Sequence, residues 1–454
     1  MQYLGIEYEI KNLPELDKGF IPMGVWMNAY EKQAKHPVTI AVEAANGRIV
    51  TRETAIIADG LHDAANGRYL ERLVKFLLWS VGGNRVRISG ADAIAARLAG
   101  VYAPGGARAF DAQFMDDVFE SGFQLAASAQ GDMPESTHTA VSIGGHLEGC
   151  RIGFDAGGSD RKVSAVIDGE CVYSEEVVWH PKTTADPNYH FNEIVTAFRT
   201  AASHMPRVDA IGVSSAGVFV GNSPMVSSLF LKVPREQRMF VKDIYNEAAR
   251  QIGDGSVPIA VANDGDVTAL AGAMELKTGS VMGLAMGTSE AVGYVNAEGN
   301  ILGWFNELAF APVDLSESAM QDEWSGDQGV GCKYFSQDAV IKLAPAAGIT
   351  LAETLTPAEK LKEVQKLLAS GWDAAAGIYR SIGVYLAHTL ALYEKFYDIR
   401  HLLVLGRVVS GEGGKLIISS CEAVLKDEYA QLCERVQIIL PDEQSRRVGQ
   451  SVAA

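Results

Sequence analysis

The chain has 454 residues, 48% hydrophobic and 21% charged, with a formal net charge of −17. That length allows two or three domains, each able to bury its own core, and the acidic balance argues against a nucleic-acid or anionic-membrane surface, which needs clustered Lys and Arg. Five cysteines (150, 171, 332, 421, 433), without a Cys-x-x-Cys pair, argue against a disulfide framework or a closed zinc site and for a reducing cytoplasm.

In chain order, residues 1–150 read as mixed α/β. The start, "MQYLGIEYEIKNLPELDKG", lacks the basic-then-apolar pattern of a signal peptide. "VTIAVEAANGRIVTRETAII" is two alternating runs around Asn46-Gly47, a hairpin signal. "YLERLVKFLLWSV" is an amphipathic helix, "NRVRISG" a strand and "ADAIAARLAGVY" a helix rich in small residues. The apolar stretch "LVKFLLW" falls short of the ~20 residues of a membrane span, so a soluble, cytoplasmic protein with no membrane partner is expected. Polar "AASAQGDMPESTHTAVSIGGHLEG" (126–149) is a linker.

From Arg151 the pattern becomes strand, turn, strand, strand, helix: "CRIGFDAGG", "KVSAVIDG", "ECVYSEEVVW" and "HFNEIVTAFRTAASHM". The strand "VDAIGVSSAGVF", the helix "VKDIYNEAARQIG" and the strand "VPIAVAND" follow. A second set holds the helix "DVTALAGAMELK", strands "SVMGLAMG" and "EAVGYVNAEGNIL", a helix through "IYRSIGVYLAHTLALYEKFY" and the strand "HLLVLG". Aromatics in that long helix recur at core-packing spacing. Two related α/β lobes around a cleft follow, divided as 1–150, 151–262 and 263–454.

Three stretches carry chemistry. In "FDAGGSD", Gly157 and Gly158 can turn backbone N–H groups toward an anion, and Ser159 adds a hydroxyl. Asp155, at the strand end, is badly placed beside a phosphate unless Mg²⁺ lies between. The stretch reads as a Mg-nucleotide cradle or as a plain hairpin turn. Asn263-Asp264 ends a buried strand and starts a helix, so Asp264 is a helix cap or a base for a bound alcohol. Gly287-Thr288-Ser289 repeats the first turn, and two such turns can pinch a polyphosphate. "LLVLGRVVSGEGGKLI" brings Gly406 and Gly411 to a strand-to-helix loop that suits adenosine, or is an ordinary loop. Asn222 follows a strand end, as a sugar contact or a turn residue. "WHPKTTADPNYHF" is a Pro-broken loop bordering the expected cleft, and His180, His190 and His204 belong on loops or helix surfaces.

The order of these pieces resembles the ROK sugar kinases, within the actin-like ATPase superfamily of sugar kinases, chaperones and actin. Asp155, Gly157, Gly158 and Ser159 match the phosphate-1 pattern Asp-x-Gly-Gly-Thr, and Asn263-Asp264 matches the Asn-Asp that holds the catalytic base. Gly287-Thr288 matches the phosphate-2 pattern in part, with a "GTS" spelling nearer the FGGY carbohydrate kinases. Gly406 is what is left of a Gly-Gly-Gly adenosine motif, with Arg407 and Val408 beside it. Glu307 falls where the sugar-contacting Glu would be, Phe310 takes the place of a His, and Cys332 alone remains of the zinc ligands.

The resemblance implies two actin-like (ribonuclease H-like) lobes plus an N-terminal α/β extension, ATP and Mg²⁺ as cofactors, and no structural zinc. It implies a carbohydrate kinase with Asp264 as base, Asn263, Glu307 and Asn222 on the sugar, and Asp155 holding Mg²⁺ through water. Gly157, Gly158, Ser159, Gly287, Thr288, Ser289, Gly406 and Gly411 would hold the nucleotide. Ser159 and Asp160 stand where the family has Thr and a basic residue, leaving Arg161 or Lys162 to supply the positive charge. The alternative is a non-catalytic sugar or nucleotide sensor, because Arg407-Val408 would crowd the adenosine pocket and Glu290 would place a negative charge at the second turn.

For residues 1–150, a winged helix-turn-helix is disfavoured by 13 Lys and Arg against 18 Asp and Glu. Their hairpin, helix and strand echo residues 151–217, as in a worn copy of that lobe. Such a copy would serve a partner or dimer contact, and a homodimer is the expected assembly.

Overall fold

The computed structural model describes residues 1–58, 60–137 and 148–441. Of the expected 126–149 linker, residues 138–147 lie outside the described ones. The N-terminal region holds helix α1 (Met23–Glu31), strands β1 (His36–Glu43) and β2 (Ile49–Ile56), helix α2 (Asp63–Val81), strand β3 (Arg85–Ser89), helices α3 (Asp92–Val101) and α4 (Ala109–Phe119), and strand β4 (Gln124–Ala127). Gly47, at φ 87°, closes the β1–β2 hairpin where the sequence places it. The four strands form one sheet in the order β2-β1-β3-β4.

This topology corrects the idea of a worn lobe. In residues 151–217 three antiparallel strands precede the helix, and the strand after it runs parallel to the first. In the N-terminal region only two strands of the four-stranded sheet precede α2, and β3 lies antiparallel to β1. The helix-turn-helix look of "RISGADAIAARLAG" fails as well, since its start is strand β3.

The middle of the chain forms a five-stranded sheet of order β11-β8-β5-β6-β7, from β5 (Cys150–Ala156), β6 (Asp160–Ile167), β7 (Glu170–Val178), β8 (Ala210–Ser215) and β11 (Ile259–Asn263). Strands β9 (Val218–Val220) and β10 (Ser223–Val226) make a separate ribbon. Helices α5 (Pro187–Ala202) and α7 (Ile244–Ala249) pack together, α5 also lies on β5 and β6, and α6 (Arg238–Lys242) precedes α7. Their core, with Phe154, Trp179, Phe198 and Tyr245, is their own.

Strand β11 runs straight into helix α8 (Asp264–Leu276), which packs on a second sheet of order β13-β12-β14-β15. That sheet is built from β12 (Val281–Met286), β13 (Glu290–Val295), β14 (His401–Leu405) and β15 (Gln437–Ile439). Helices α9 (Gln337–Leu343), α10 (Pro357–Ala369), α11 (Asp373–Tyr393), α12 (Glu412–Glu428) and α13 (Ala430–Arg435) complete the C-terminal part. Tyr379, Tyr385 and Tyr393 of α11 are buried, as their spacing predicts. Among the described residues no helix is long and apolar enough to cross a membrane.

One apolar core joins the N-terminal region to the C-terminal part. Trp26, Tyr30, Phe76 and Trp79 share it with Met282, Tyr385, Tyr393 and Ile417. Phe76 stacks on Phe396 at 4.1 Å between centroids, and Trp79 meets Phe310 at 4.5 Å. Exposing such a face would forfeit roughly 1.5–3 kcal/mol for each large side chain, so the N-terminal region does not stand apart as an appendage.

Candidate active site at the strand ends

Asp155, Ser215 and Asn263 lie at or beside the carboxyl ends of the parallel strands β5, β8 and β11. Gly287 and Gly406 follow the carboxyl ends of the parallel strands β12 and β14. In α/β sheets ligands bind outside these ends.

The first turn is held from both sides. Asp155 is 6% exposed and accepts from Ser214 Oγ at 2.9 Å and from Lys162 Nζ at 3.5 Å. Burial raises its pKa despite Lys162. Trp179, buried, donates its indole N–H to the Gly157 carbonyl at 2.7 Å and its backbone N–H to the Ser159 carbonyl at 3.2 Å. The Ser159 hydroxyl donates to Asp160 at 3.0 Å. Neither neighbouring cation is free for a phosphate. Arg161 pairs with Glu193 at 2.8 Å and Glu175 at 3.5 Å, and Lys162 pairs with Asp160 at 3.1 Å as well as with Asp155.

Asn263 caps α8, accepting from Gly265 N at 2.7 Å, and donates to the Gly217 carbonyl at 2.8 Å. Asp264 is half-buried at the first position of the helix. Burial and the Asp155 carboxylate push its pKa up to about 6, while the backbone N–H groups of Gly265 and Asp264 and, least, the Lys182 ammonium pull it back. Two residues on, buried Asp266 accepts from Tyr294 N at 3.1 Å and Asn306 Nδ2 at 2.8 Å, and burial raises it to about 7. Burial, aided by the charges of Asp264 and Asp266, raises Glu307 to about 7. Asn222 does not join this group. It donates to Asn246 Oδ1 and the Ile259 carbonyl and accepts from Val261 N, which fixes it against β11.

At the second turn Thr288 and Ser289 are exposed, and the Thr288 hydroxyl accepts from Arg407 Nη2 at 2.8 Å. Val408 is fully buried in the shared core, so it does not crowd an adenosine pocket. Glu290 is also not the exposed charge the sequence suggests. It is 4% exposed, accepts from the Tyr393 hydroxyl at 3.2 Å, and burial raises it to about 8. Gly406, at φ 99°, packs so that a Cβ would lie 2.3 Å from the Met286 carbonyl. Gly411, at φ 68°, precedes α12 in open space.

The N-terminal region holds the segment that carries Glu307. Backbone N–H groups of Phe305, Asn306 and Glu307 donate to the carbonyls of Val81, Ser80 and Trp79 at the C-terminal end of α2. Those carbonyls have no partner within a helix, so the segment serves as a cap. Arg48, buried, donates to the carbonyls of Gly303, Val81 and Gly82. Further along, Asp327 meets Arg108 at 2.7 Å, Arg72 at 2.9 Å and Lys75 at 3.1 Å. Lys75 also meets Asp111 at 2.9 Å, and Glu71 meets Arg72 at 2.5 Å and Arg108 at 2.6 Å. Burial alone would raise Glu71 and Asp327, but the cations outweigh it, holding Glu71 at about 2 and Asp327 well below the usual range. Phe310 packs among Trp79, Phe110 and Phe114. Cys332 is buried against Asp322, and among the described residues no group of three His, Cys, Asp or Glu could hold a metal ion.

Sequence reasoning missed Asp266, the buried charges of α2, and Lys182. It also placed His190 at the surface, whereas His190 is fully buried and bonded to the carbonyls of Pro181, Leu229 and Asp186.

No protein-family model matches the chain, and no curated protein does. Solved structures do. A ROK hexokinase from Thermus thermophilus matches at 18% identity and TM-score 0.52, over 67% of this chain and 97% of that one. A ROK family transcriptional regulator, a homolog of the E. coli MLC protein, matches at 14% identity and TM-score 0.52, over 68% of this chain and 78% of that one. The chain has a ROK-type fold, and that fold serves both an enzyme and a regulator.

Proposed function

On a ROK-type fold with these residues at its strand ends, we propose that the chain is an ATP-dependent sugar kinase. Asp264 takes the proton from a sugar hydroxyl. The hydroxyl oxygen bonds to the γ-phosphorus as the bond from that phosphorus to the β–γ bridging oxygen breaks, releasing ADP. Turns 157–159 and 287–289 offer backbone N–H groups to the polyphosphate, and Gly406 and Gly411 line the adenosine site. Asp155 would hold Mg²⁺ through water, and the ion, when bound, neutralises phosphate charge. Glu307 orients the sugar, and Asn263 sets the base by capping its helix. Residues 151–262 and 263–454 act as the two lobes, with the N-terminal region bracing the acceptor side.

The observation that supports this reading best is the position of Asp264 at the direct junction of β11 and α8, where it links the two sheets and is coupled electrostatically to Asp155 and Glu307. An ADP-release assay over hexoses, amino sugars and polyols tests it. Asp264→Asn is expected to lower kcat by ~10²–10⁴-fold, the range of general-base catalysis, with Mg-ATP binding retained. Phosphorylation that survives in Asp264→Asn removes the assignment. A second reading, a non-catalytic sensor, draws on the hydroxyls of Ser159 and Thr288, both already bonded within the protein. Calorimetry that detects no Mg-ATP binding, with sugar or without, favours the sensor.

A further inference from the structure

Lys182 lies in a short turn, Pro181–Thr183, between β7 and α5. A Cβ on Gly158 would meet its Nζ at 2.5 Å and its Cε at 2.4 Å, so the ammonium rests over the Gly158 backbone. The same ammonium is close enough to Asp264 to lower its pKa. It therefore rests at the first turn and acts electrostatically on the carboxylate of the proposed base. The chain on either side of it is fixed. Trp179 is bonded to the turn itself through Gly157 and Ser159, and His190 Nε2 is 3.0 Å from the Pro181 carbonyl. The Thr184 hydroxyl donates to the His180 carbonyl at 2.7 Å, and His180 N donates to the Tyr189 hydroxyl at 2.9 Å.

Arg161 and Lys162 are spent on carboxylates. Lys182 is exposed and forms no ion pair among the described residues. A cation held over a glycine turn without an anion of its own is an electrostatic site for one.

We infer that Lys182 binds the γ-phosphoryl oxygens of the nucleoside triphosphate during transfer, supplying the positive charge that the hairpin's own Arg161 and Lys162 cannot. This inference rests on the kinase reading. Lys182 stays protonated throughout and donates N–H bonds, so the proton of the acceptor hydroxyl still goes to Asp264.

The test compares Lys182→Met and Lys182→Arg with the unmodified chain, in ADP release with the best sugar of the screen and in calorimetry with Mg-ATP and Mg-ADP. Removing one preorganised donor costs ~10²–10³-fold in kcat, and that loss is expected for Lys182→Met. Mg-ATP binding should weaken more than Mg-ADP binding, sugar KM should stay near that of the unmodified chain, and Lys182→Arg should recover part of kcat. A Lys182→Met kcat within about threefold of the unmodified chain, or equal losses for Mg-ATP and Mg-ADP, overturns the role of Lys182 and leaves the kinase reading standing. If the unmodified chain itself neither binds Mg-ATP nor releases ADP with any sugar, the kinase reading falls and the role of Lys182 with it.

Discussion

The hairpin at 154–178 and the segment at 303–335 flank the same carboxylates but are held by different means. The hairpin is organised by near neighbours. Trp179 clasps the carbonyls of the turn, Lys162 answers Asp155 seven residues away, and the hydroxyl of Ser159 turns to the next side chain. The 303–335 segment is organised from far along the chain, by Arg48, the end of α2, and the cations of α2 and Arg108 gathered on Asp327. The difference teaches that a polar turn can carry its own geometry, whereas a long loop without regular structure needs a partner surface to fix it.

The largest break in that comparison is expected at Asp327. Removing one member of a buried ion pair leaves its partners uncompensated and costs about 3–5 kcal/mol, so Asp327→Ala should lower the midpoint of urea unfolding strongly. A loss below about 1 kcal/mol would mean that the cluster does not hold the segment. Next comes Gly158→Ala on the hairpin. Its Cβ would displace the Lys182 ammonium, and Mg-ATP affinity is expected to fall tenfold or more by calorimetry, while the unfolding midpoint moves little. A large stability loss with affinity intact would invert the contrast between the two regions.

The smallest effect is one of pH. Glu290 is raised from 4.5 to about 8 and its Oε2 is buried without a partner. The folded chain therefore keeps a proton that the unfolded chain has released, and the stability tied to this proton is lost as pH rises from about 5 through 8. Glu71, lowered to about 2, has the opposite sign, and its contribution is lost as pH falls from about 4.5 through 2. Glu290→Gln should flatten the alkaline decline of Tm between pH 6 and 9 and leave the acid limb unchanged. An unaltered alkaline slope would exclude Glu290 as its source.

Much of the fold could be read along the chain because it is local. The hairpins at Asn46-Gly47 and Gly157-Gly158 and the strand-to-helix step at Asn263-Asp264 each sit within a few residues of their cause. What could not be read depends on distant partners. By period, Arg72 and Lys75 belong to a solvated face of α2, yet both are buried by carboxylates 36 to 255 residues away. Val408 sits beside Gly406 in sequence, as if toward a ligand, and nothing near it shows that its side chain enters the shared core. Lys182 carries no local mark either, and only the clasp of Trp179 and His190 brings it to the turn.

The shared core also bears on the order in which the molecule can form. Apart from Val218, its buried side chains come from residues 6–125 and 282–436, while a second core lies within residues 152–261. The middle sheet can thus collapse on contacts close in sequence, which form fast. Trp26, Tyr30, Phe76 and Trp79 leave the ribosome well before Tyr385, Tyr393 and Ile417, which share their core. During synthesis this aromatic face is therefore among the last to become dry.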